Sequence, residues 1–527
     1  MSIIAKVDKL SMHQSPAGGP IDEAVFRDLI ARRARPMFRI VSYLLKHKPF
    51  RTVLTRPLLG DLLSQSAQLE ELLDAYGARN NRRWCRFRAL TAAVKLFASV
   101  SYKLLHIQYV LPSYRLLGID RDFVAATQQA IAFSSGVLEA AALGLLEQAA
   151  RVDVTVPVAE LQAIDYGEQL PNGCLAYDRD ERQVDNAAAI VTHLATAFLN
   201  LAAESELLHT VAQSQPEDYA ARFPDPVSEE NLRYLKYRFH NLQSLYDTYV
   251  SETVVEHLDA DLPVLRGHVS VIYHLLEIAT ELAHYYERHV NPQTGDSALR
   301  NRPVVTPDEL LLTLMGYAVT YSSLFLSCGQ RLCQGMLKRY AEVGVIEVPV
   351  PHYRGFHVRP ATLVAKIVLH YGSEVHMELD GALYDAGSPL DLFRANEKIN
   401  ARKRRWLATE IAQSPLLKQA VSKDRIDEAV LNIILKLAEQ GKLVIYEQPL
   451  QFAELAQQEG GLLEQITAEI ARLQATGQID ISSGLTISFI GDKRVLADIA
   501  LLAGHGYGED SYGNNIPLPK ELAYLRR

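Results

Sequence analysis

Cysteine is scarce: the 527 residues include only Cys85, Cys174, Cys328 and Cys333. Their spacing fits no zinc motif. So few thiols exclude a disulfide-built scaffold and favour a reducing cytosol. Long apolar runs are missing too. No stretch approaches the roughly 20 uninterrupted apolar residues of a membrane span, so no span is expected. Met1 to Pro20 lacks an apolar core of signal-peptide length, and we expect residues 1–20 to be flexible and the protein cytoplasmic. There is no P-loop, no His-Glu-x-x-His and no Gly-x-Ser-x-Gly. The Gly504-His505-Gly506-Tyr507-Gly508 cluster follows a helical pattern, which makes it a poor nucleotide loop. No cofactor and no internal repeat is expected.

The composition, 48% apolar and 22% charged, is that of an ordinary globular protein, and the length fits two or three domains. Charge is uneven. Residues 24–116 hold 17 Lys and Arg against five Asp and Glu, a net of +12 within a chain of net −8. The plain reading is a solvated basic face docked on the acidic remainder. A weak contact with an anionic membrane is the alternative, supported by the apolar helix Leu90–Leu105, which Lys95 and Lys103 interrupt. No nucleic-acid partner is expected, because no recognised motif accompanies the charge.

From residue 21 to 343 apolar residues recur at three and four positions, through Phe38–Leu45, Gln129–Ala149, Ala187–Leu208, Leu232–Leu258 and Ser270–Arg288. Ile131–Leu145 and Leu310–Leu326 are apolar on more than one face, which fits helices inside a multi-helix core. The spacing therefore predicts one large all-α domain. Residues 151–185 and 290–306 read as irregular. Thr306-Pro307-Asp308-Glu309 restarts a helix, with Thr306 as cap.

The most informative segment is Arg354-Gly355-Phe356-His357-Val358-Arg359-Pro360-Ala361. Proline is favoured in a first helical turn, so His357 is expected where a loop enters a helix. Helix N-termini bind anions through free N–H groups and the helix dipole. A histidine there can carry a phosphoryl group, with Arg359 pairing its oxygens. Downstream, Val364, Ile367, Val368 and Tyr371 recur at helical spacing, and Val375, Met377 and Leu379 alternate as in a strand. Asp380-Gly381 is a hairpin signal and Ala382–Ala386 a returning strand. Ser388-Pro389 then opens a second helix with Ser388 as cap.

Gly355 to Pro360 follow the motif of HPr, the histidine phosphocarrier of the bacterial phosphoenolpyruvate-dependent sugar phosphotransferase system, which this segment resembles. Phe356 and Val358 are mild departures. The resemblance implies a phosphoryl group accepted on His357 from an Enzyme I-like donor, with Arg359 stabilising it, and passed to a downstream phosphotransferase or regulatory protein. It also makes Ser388 a candidate for regulatory phosphorylation, against its plain role as a helix cap. Gly355, Phe356 and Leu363 are candidates for partner docking.

The pattern breaks after the second helix. Residues 396–480 read as mostly helical. Gly484–Gly491 then reads as a fourth strand, and Asp492 caps a helix carrying Val495, Leu496 and Ile499. The alternative gives that strand to Lys442–Glu447. The expected architecture is thus multidomain α plus α/β: an all-α domain over 21–343, and an HPr-like open-faced β-sandwich over 344–503 with a helical insertion. Residues 504–527 are expected to be a tail or an arm over the body.

The expected function is a carrier rather than a turnover enzyme, signalling to or through the α-domain. A non-phosphorylated scaffold for protein binding is the first alternative. The second is a metal-dependent oxidoreductase. Glu206 with His209 and Glu281 with His284 form two Glu-x-x-His pairs, and Glu139 and Glu252 lie on the preceding helices, an order similar to di-iron bundles. Ordinary surface pairs at i,i+3 give the same spacing. The basic run Lys398–Arg405 reads as a solvated helix face, or as a docking surface for an acidic partner.

Overall fold

The computed structural model describes residues 19–156, 186–290, 304–413, 426–446 and 461–526, with isolated positions at 161, 166–168, 175–176 and 449–450. The flexible stretch expected over 1–20, the irregular segments and Cys174 lie largely or wholly outside the described residues. The chain forms two compact units, Met1–Leu332 and Cys333–Arg527.

The elements of the first unit among its described residues are helices joined by loops, as the 3.6-residue periodicity predicts. Its helices are α1 (Glu23–Arg33), α2 (Arg35–Lys46), α3 (Arg56–Ala75), α4 (Cys85–Val110), α5 (Phe123–Arg151), α6 (Ala187–Glu204), α7 (Glu206–Ala212), α8 (Glu229–Tyr249), α9 (Val255–Leu258), α10 (Leu262–Tyr285), α11 (Pro307–Leu311) and the start of α12 (Thr320–Arg339). Thr306 caps α11 in a reciprocal box with Glu309, as expected. Helix α4 is central and packs on α3, α5 and α10. His268 on α10 is fully buried. Its Nδ1 donates to the Phe325 carbonyl at 3.1 Å, and its Nε2 accepts from the Leu117 N–H at 3.1 Å. Both ring nitrogens are thus satisfied by a neutral imidazole, and burial pushes its pKa down to about 4.

Four helical stretches, Cys85–Ser113, Phe123–Arg151, Ala187–Glu204 and Pro307–Arg339, are long and apolar enough to cross a membrane by length and composition. The test of uninterrupted apolar runs passes over them because polar residues are scattered along each.

The second unit starts eleven residues before the boundary read from sequence. The last turns of α12 belong to it: Gln334 donates to the Leu369 and His370 carbonyls at 3.1 Å, and Arg494 donates to the Leu337 carbonyl at 2.6 Å. Its element order is β1 (Val343–Pro349), α13 (Val358–Tyr371), β2 (Val375–Leu379), β3 (Ala382–Asp385), α14 (Pro389–Gln413), α15 (Ile426–Glu439), β4 (Leu443–Ile445), α16 (Leu462–Ala475), β5 (Ile479–Ile481), β6 (Thr486–Asp492) and α17 (Lys493–Gly504). The main sheet is antiparallel with order β1-β6-β2-β3. Ile346 lies opposite Phe489, and Phe489 opposite Met377, which lies opposite Tyr384. This row belongs to the covered face, with Val375, Leu379 and Ile487 buried beside it. Val345, Glu347, Leu383 and Asp385 lie on the other face and are exposed. Asp380 and Gly381 both take positive φ, as the hairpin signal predicts.

The sequence expectation for β6 and α17 matches the observed elements, with Asp492 capping α17 by accepting from the Arg494 N–H. Lys442–Glu447 is not the fourth strand. Its β4 pairs with β5 in a separate two-stranded sheet. With the end of α14, α15 and α16, these strands enclose a second core that includes Leu407, Ile411, Ile434, Leu443, Ile470 and Ile481. The insertion is therefore a small α/β subdomain rather than a helical one. A three-residue strand carries too little alternation to be read against its helical surroundings.

The end of the chain is an arm, not a loose tail. Tyr507, Leu522 and Leu525 are buried, and the Tyr507 hydroxyl donates to the Pro349 carbonyl at 2.8 Å. Tyr371 and Tyr524 both donate to Asp498, at 2.9 and 2.5 Å. Burial holds the Asp498 carboxyl above its usual range although both phenols stabilise its charge. Tyr524 stacks on His370 at 4.1 Å, and burial pushes that imidazole down to about 4.

Candidate functional site

The site is built by a kink. Arg354 and Gly355 have φ of +54° and +63°, and the chain then enters α13 with His357 at the N-cap. A Cβ on residue 355 would lie 2.2 Å from the Asn396 Oδ1, so both the backbone angle and the space require glycine. Asn396, on α14, clamps the turn from both sides. Its Oδ1 accepts from the Phe356 N–H at 2.9 Å, and its Nδ2 donates to the Arg354 carbonyl at 3.0 Å. Pro360 sits in the first turn of α13, and Gly372 closes the helix with φ +62°.

The His357 side chain is 25% exposed, and its Nε2 lies 2.8 Å from the Glu509 Oε2. Glu509 is almost fully buried, and its other oxygen lies 3.8 Å from the Arg359 Nε. An ionised carboxylate only accepts hydrogen bonds, so Nε2 is the donating nitrogen. Among the described residues no donor or acceptor meets Nδ1. Tyr353 stands edge-on to the imidazole, 5.4 Å between centroids. Arg359 is 35% exposed, open enough to reach an anion beside His357. A cation, the N-terminus of α13 and an imidazole with one open nitrogen therefore meet at a single surface point.

The docking candidates need correction. Gly355, Phe356 and Leu363 are all buried. Phe356 packs edge-on against Tyr507 at 5.4 Å and Phe489 at 6.3 Å, so it anchors the loop to the core instead of meeting a partner. The exposed apolar neighbour of His357 is Val358. Ser388 caps α14, its Oγ accepting from the Asp391 N–H at 3.3 Å, as its plain reading predicts. In the basic run, Lys403 is not on a solvated face. It is 4% exposed and pairs with Asp480 at 3.2 Å, while Arg402 pairs with Asp380 and Arg404 with Gln474.

The di-iron candidates do not converge. Glu139 pairs with Lys48 at 3.2 Å, and Glu281 binds Ser99 and Lys103. His209 bonds Ser323 at 2.7 Å, and His284 bonds Glu229 at 2.9 Å. Glu206 lies in the first turn of α7, and Glu252 sits at a φ of +61° after α8. Among the described residues no group of three His, Cys, Asp or Glu could hold a metal. A shared residue spacing did not bring these side chains to one point, because each faces a different neighbour.

Two residues of the site were not visible in the sequence. Glu509 is 152 positions from its partner, inside a polar segment that reads as a tail. Asn396 lies in a helix, where nothing in the spacing marks its side chain as a clamp.

Fold and site together define a mainly α protein with a small antiparallel sheet, which presents one histidine at a helix N-terminus beside an arginine and a buried glutamate. Compared with known protein families, with characterised proteins and with solved structures, the chain matches none at a significant level.

Proposed function

We propose that the second unit is an HPr-like phosphocarrier module in which His357 accepts a phosphoryl group from an Enzyme I-like donor, passing it on or signalling to or through the helical unit. The observation that carries the reading is the partly exposed His357 imidazole at the N-terminus of α13 with the Arg359 guanidinium beside it. The helix end and the cation both favour the dianionic group that would arrive there. The order strand, helix, two strands, helix, then strand and helix after an insertion also supports it, because this is the order the resemblance implies. The chemistry is group transfer, and it asks little more of the module than an open nucleophilic nitrogen and charge compensation. A cytoplasmic location belongs to the same proposal, since phosphoenolpyruvate-dependent donors act there.

Contact with an anionic membrane is less favoured. Several cations of 24–116 are paired within the protein: Arg83 with Glu23 and Asp153, Arg88 with Glu70 and Asp74, and Lys95 with Glu70. The decisive experiment is incubation of the full chain with phosphoenolpyruvate and Enzyme I. The carrier reading requires an acid-labile phosphate that disappears in His357→Ala. No labelling favours a scaffold that keeps the shape for protein binding only.

A further inference from the structure

We infer that Glu509 is a positioning residue for His357: it holds the Nε2 proton, leaves Nδ1 as the nucleophile and faces the positive charge that phosphorylation creates on the ring. The inference rests on His357 as acceptor. Its geometric basis is the 2.8 Å contact between Nε2 and the nearly buried Glu509 carboxylate.

The arm that carries Glu509 is fixed, not poised to swing. Tyr507, two residues earlier, is 1% exposed, packs edge-on against Phe356 and donates to the Pro349 carbonyl. The Ile516 N–H donates to the Gly508 carbonyl at 3.0 Å, and Glu509 pairs with Asn515 in a short bridge. The Asp510 side chain accepts from the Tyr512 and Asn514 N–H groups, closing the turn between them. Gly508 has φ +77°, and a Cβ there would lie 3.2 to 3.6 Å from Leu518, Leu363 and the Arg359 Nε. Glycine thus lets the arm pass close over α13 and deliver the carboxylate to the imidazole.

The consequence is chemical. With the proton held on Nε2, the ring's lone pair is on Nδ1. In reaction with phosphoramidate, that lone pair forms the new P–N bond. The P–N bond of phosphoramidate, reacting as its N-protonated zwitterion, breaks, and its electron pair leaves with the already protonated nitrogen as ammonia. His357 keeps its Nε2 proton and becomes a phosphorylated imidazolium, whose charge lies against Glu509. The same carboxylate repels a phosphoryl group approaching Nε2, while the partly exposed Arg359 supplies a cation at the site.

The test uses full-length protein labelled with 15N-histidine, and phosphoramidate as a donor that needs no partner protein. The wild type should show a hydrogen-bonded Nε2 proton for His357, retained in Glu509→Gln and lost to exchange in Glu509→Ala. Phosphoramidate should label Nδ1 over Nε2 by about tenfold or more, the factor expected when one charge-assisted hydrogen bond blocks the competing nitrogen. Glu509→Ala should lose that preference, and Glu509→Gln should keep it with slower labelling. An Nε2 product in the wild type, an unchanged preference in Glu509→Ala, or no labelling at all overturns the inference. Labelling of Nδ1 by phosphoramidate without any transfer from Enzyme I sinks the carrier reading alone and leaves the role of Glu509 standing.

Discussion

Asn396→Ala removes a clamp that holds the His357 loop from both sides. Two hydrogen bonds go, from the Phe356 N–H and to the Arg354 carbonyl. Each such bond contributes about 1 kcal/mol net, and a buried N–H left without an acceptor costs about 1–3 kcal/mol. Phe356 is fully buried, so its N–H does not regain water without opening the loop. The combined local loss is at least about 2 kcal/mol, which corresponds to a roughly thirtyfold or greater rise in the population of the opened loop. Two residues at positive φ, Arg354 and Gly355, depend on this clamp, so the kink should relax once it is gone. Hydrogen exchange over 350–358, read by mass spectrometry on the full chain, should accelerate by about that factor, with 343–349 and 486–492 unchanged. Labelling of His357 should slow in parallel. Asn396→Asp should fall between, since a carboxylate still accepts from Phe356 but cannot donate to Arg354. Unchanged exchange over 350–358 in Asn396→Ala would refute the argument that this side chain sets the presentation of His357.

Other outcomes follow from the same geometry. Arg359→Ala should lower the rate of His357 labelling about ten- to a hundredfold through loss of one charge-assisted interaction, with Arg359→Lys restoring part of it, as read in the phosphoenolpyruvate assay. His268 is held neutral in the fold down to about 4, against about 6.5 in an unfolded chain. Between those values only the unfolded chain takes the proton, so stability is lost as pH falls, by about 2 kcal/mol at pH 5. Thermal melts at pH 7 and pH 5 should show a smaller drop for His268→Gln than for the wild type, while His289 and His370, displaced the same way, keep part of it in both. Lys403→Met should cost about 3–5 kcal/mol by leaving the buried Asp480 carboxylate without its cation, and a double change with Asp480→Leu should recover much of that. Limited proteolysis of the insertion subdomain is the readout.

Periodicity alone determined the helical unit, because an amphipathic or buried helix repeats its apolar positions within a few residues. The β6 strand and the Ser388, Thr306 and Asp492 caps were equally legible, since each is a local bargain between one side chain and nearby N–H groups. The octet around His357 fixed the helix start for the same reason. Tertiary structure decided everything that needs a distant partner. Glu509 reaches His357 across 152 positions, Asn396 clamps a loop from a separate helix, and Lys403 leaves the basic run for Asp480. It also moved Phe356 from surface to core, and separated Glu and His side chains whose spacing alone suggested a metal. Sequence spacing reports what lies along one element. Which side chains meet across elements is set by packing, and the charge environment of His357 is of that second kind.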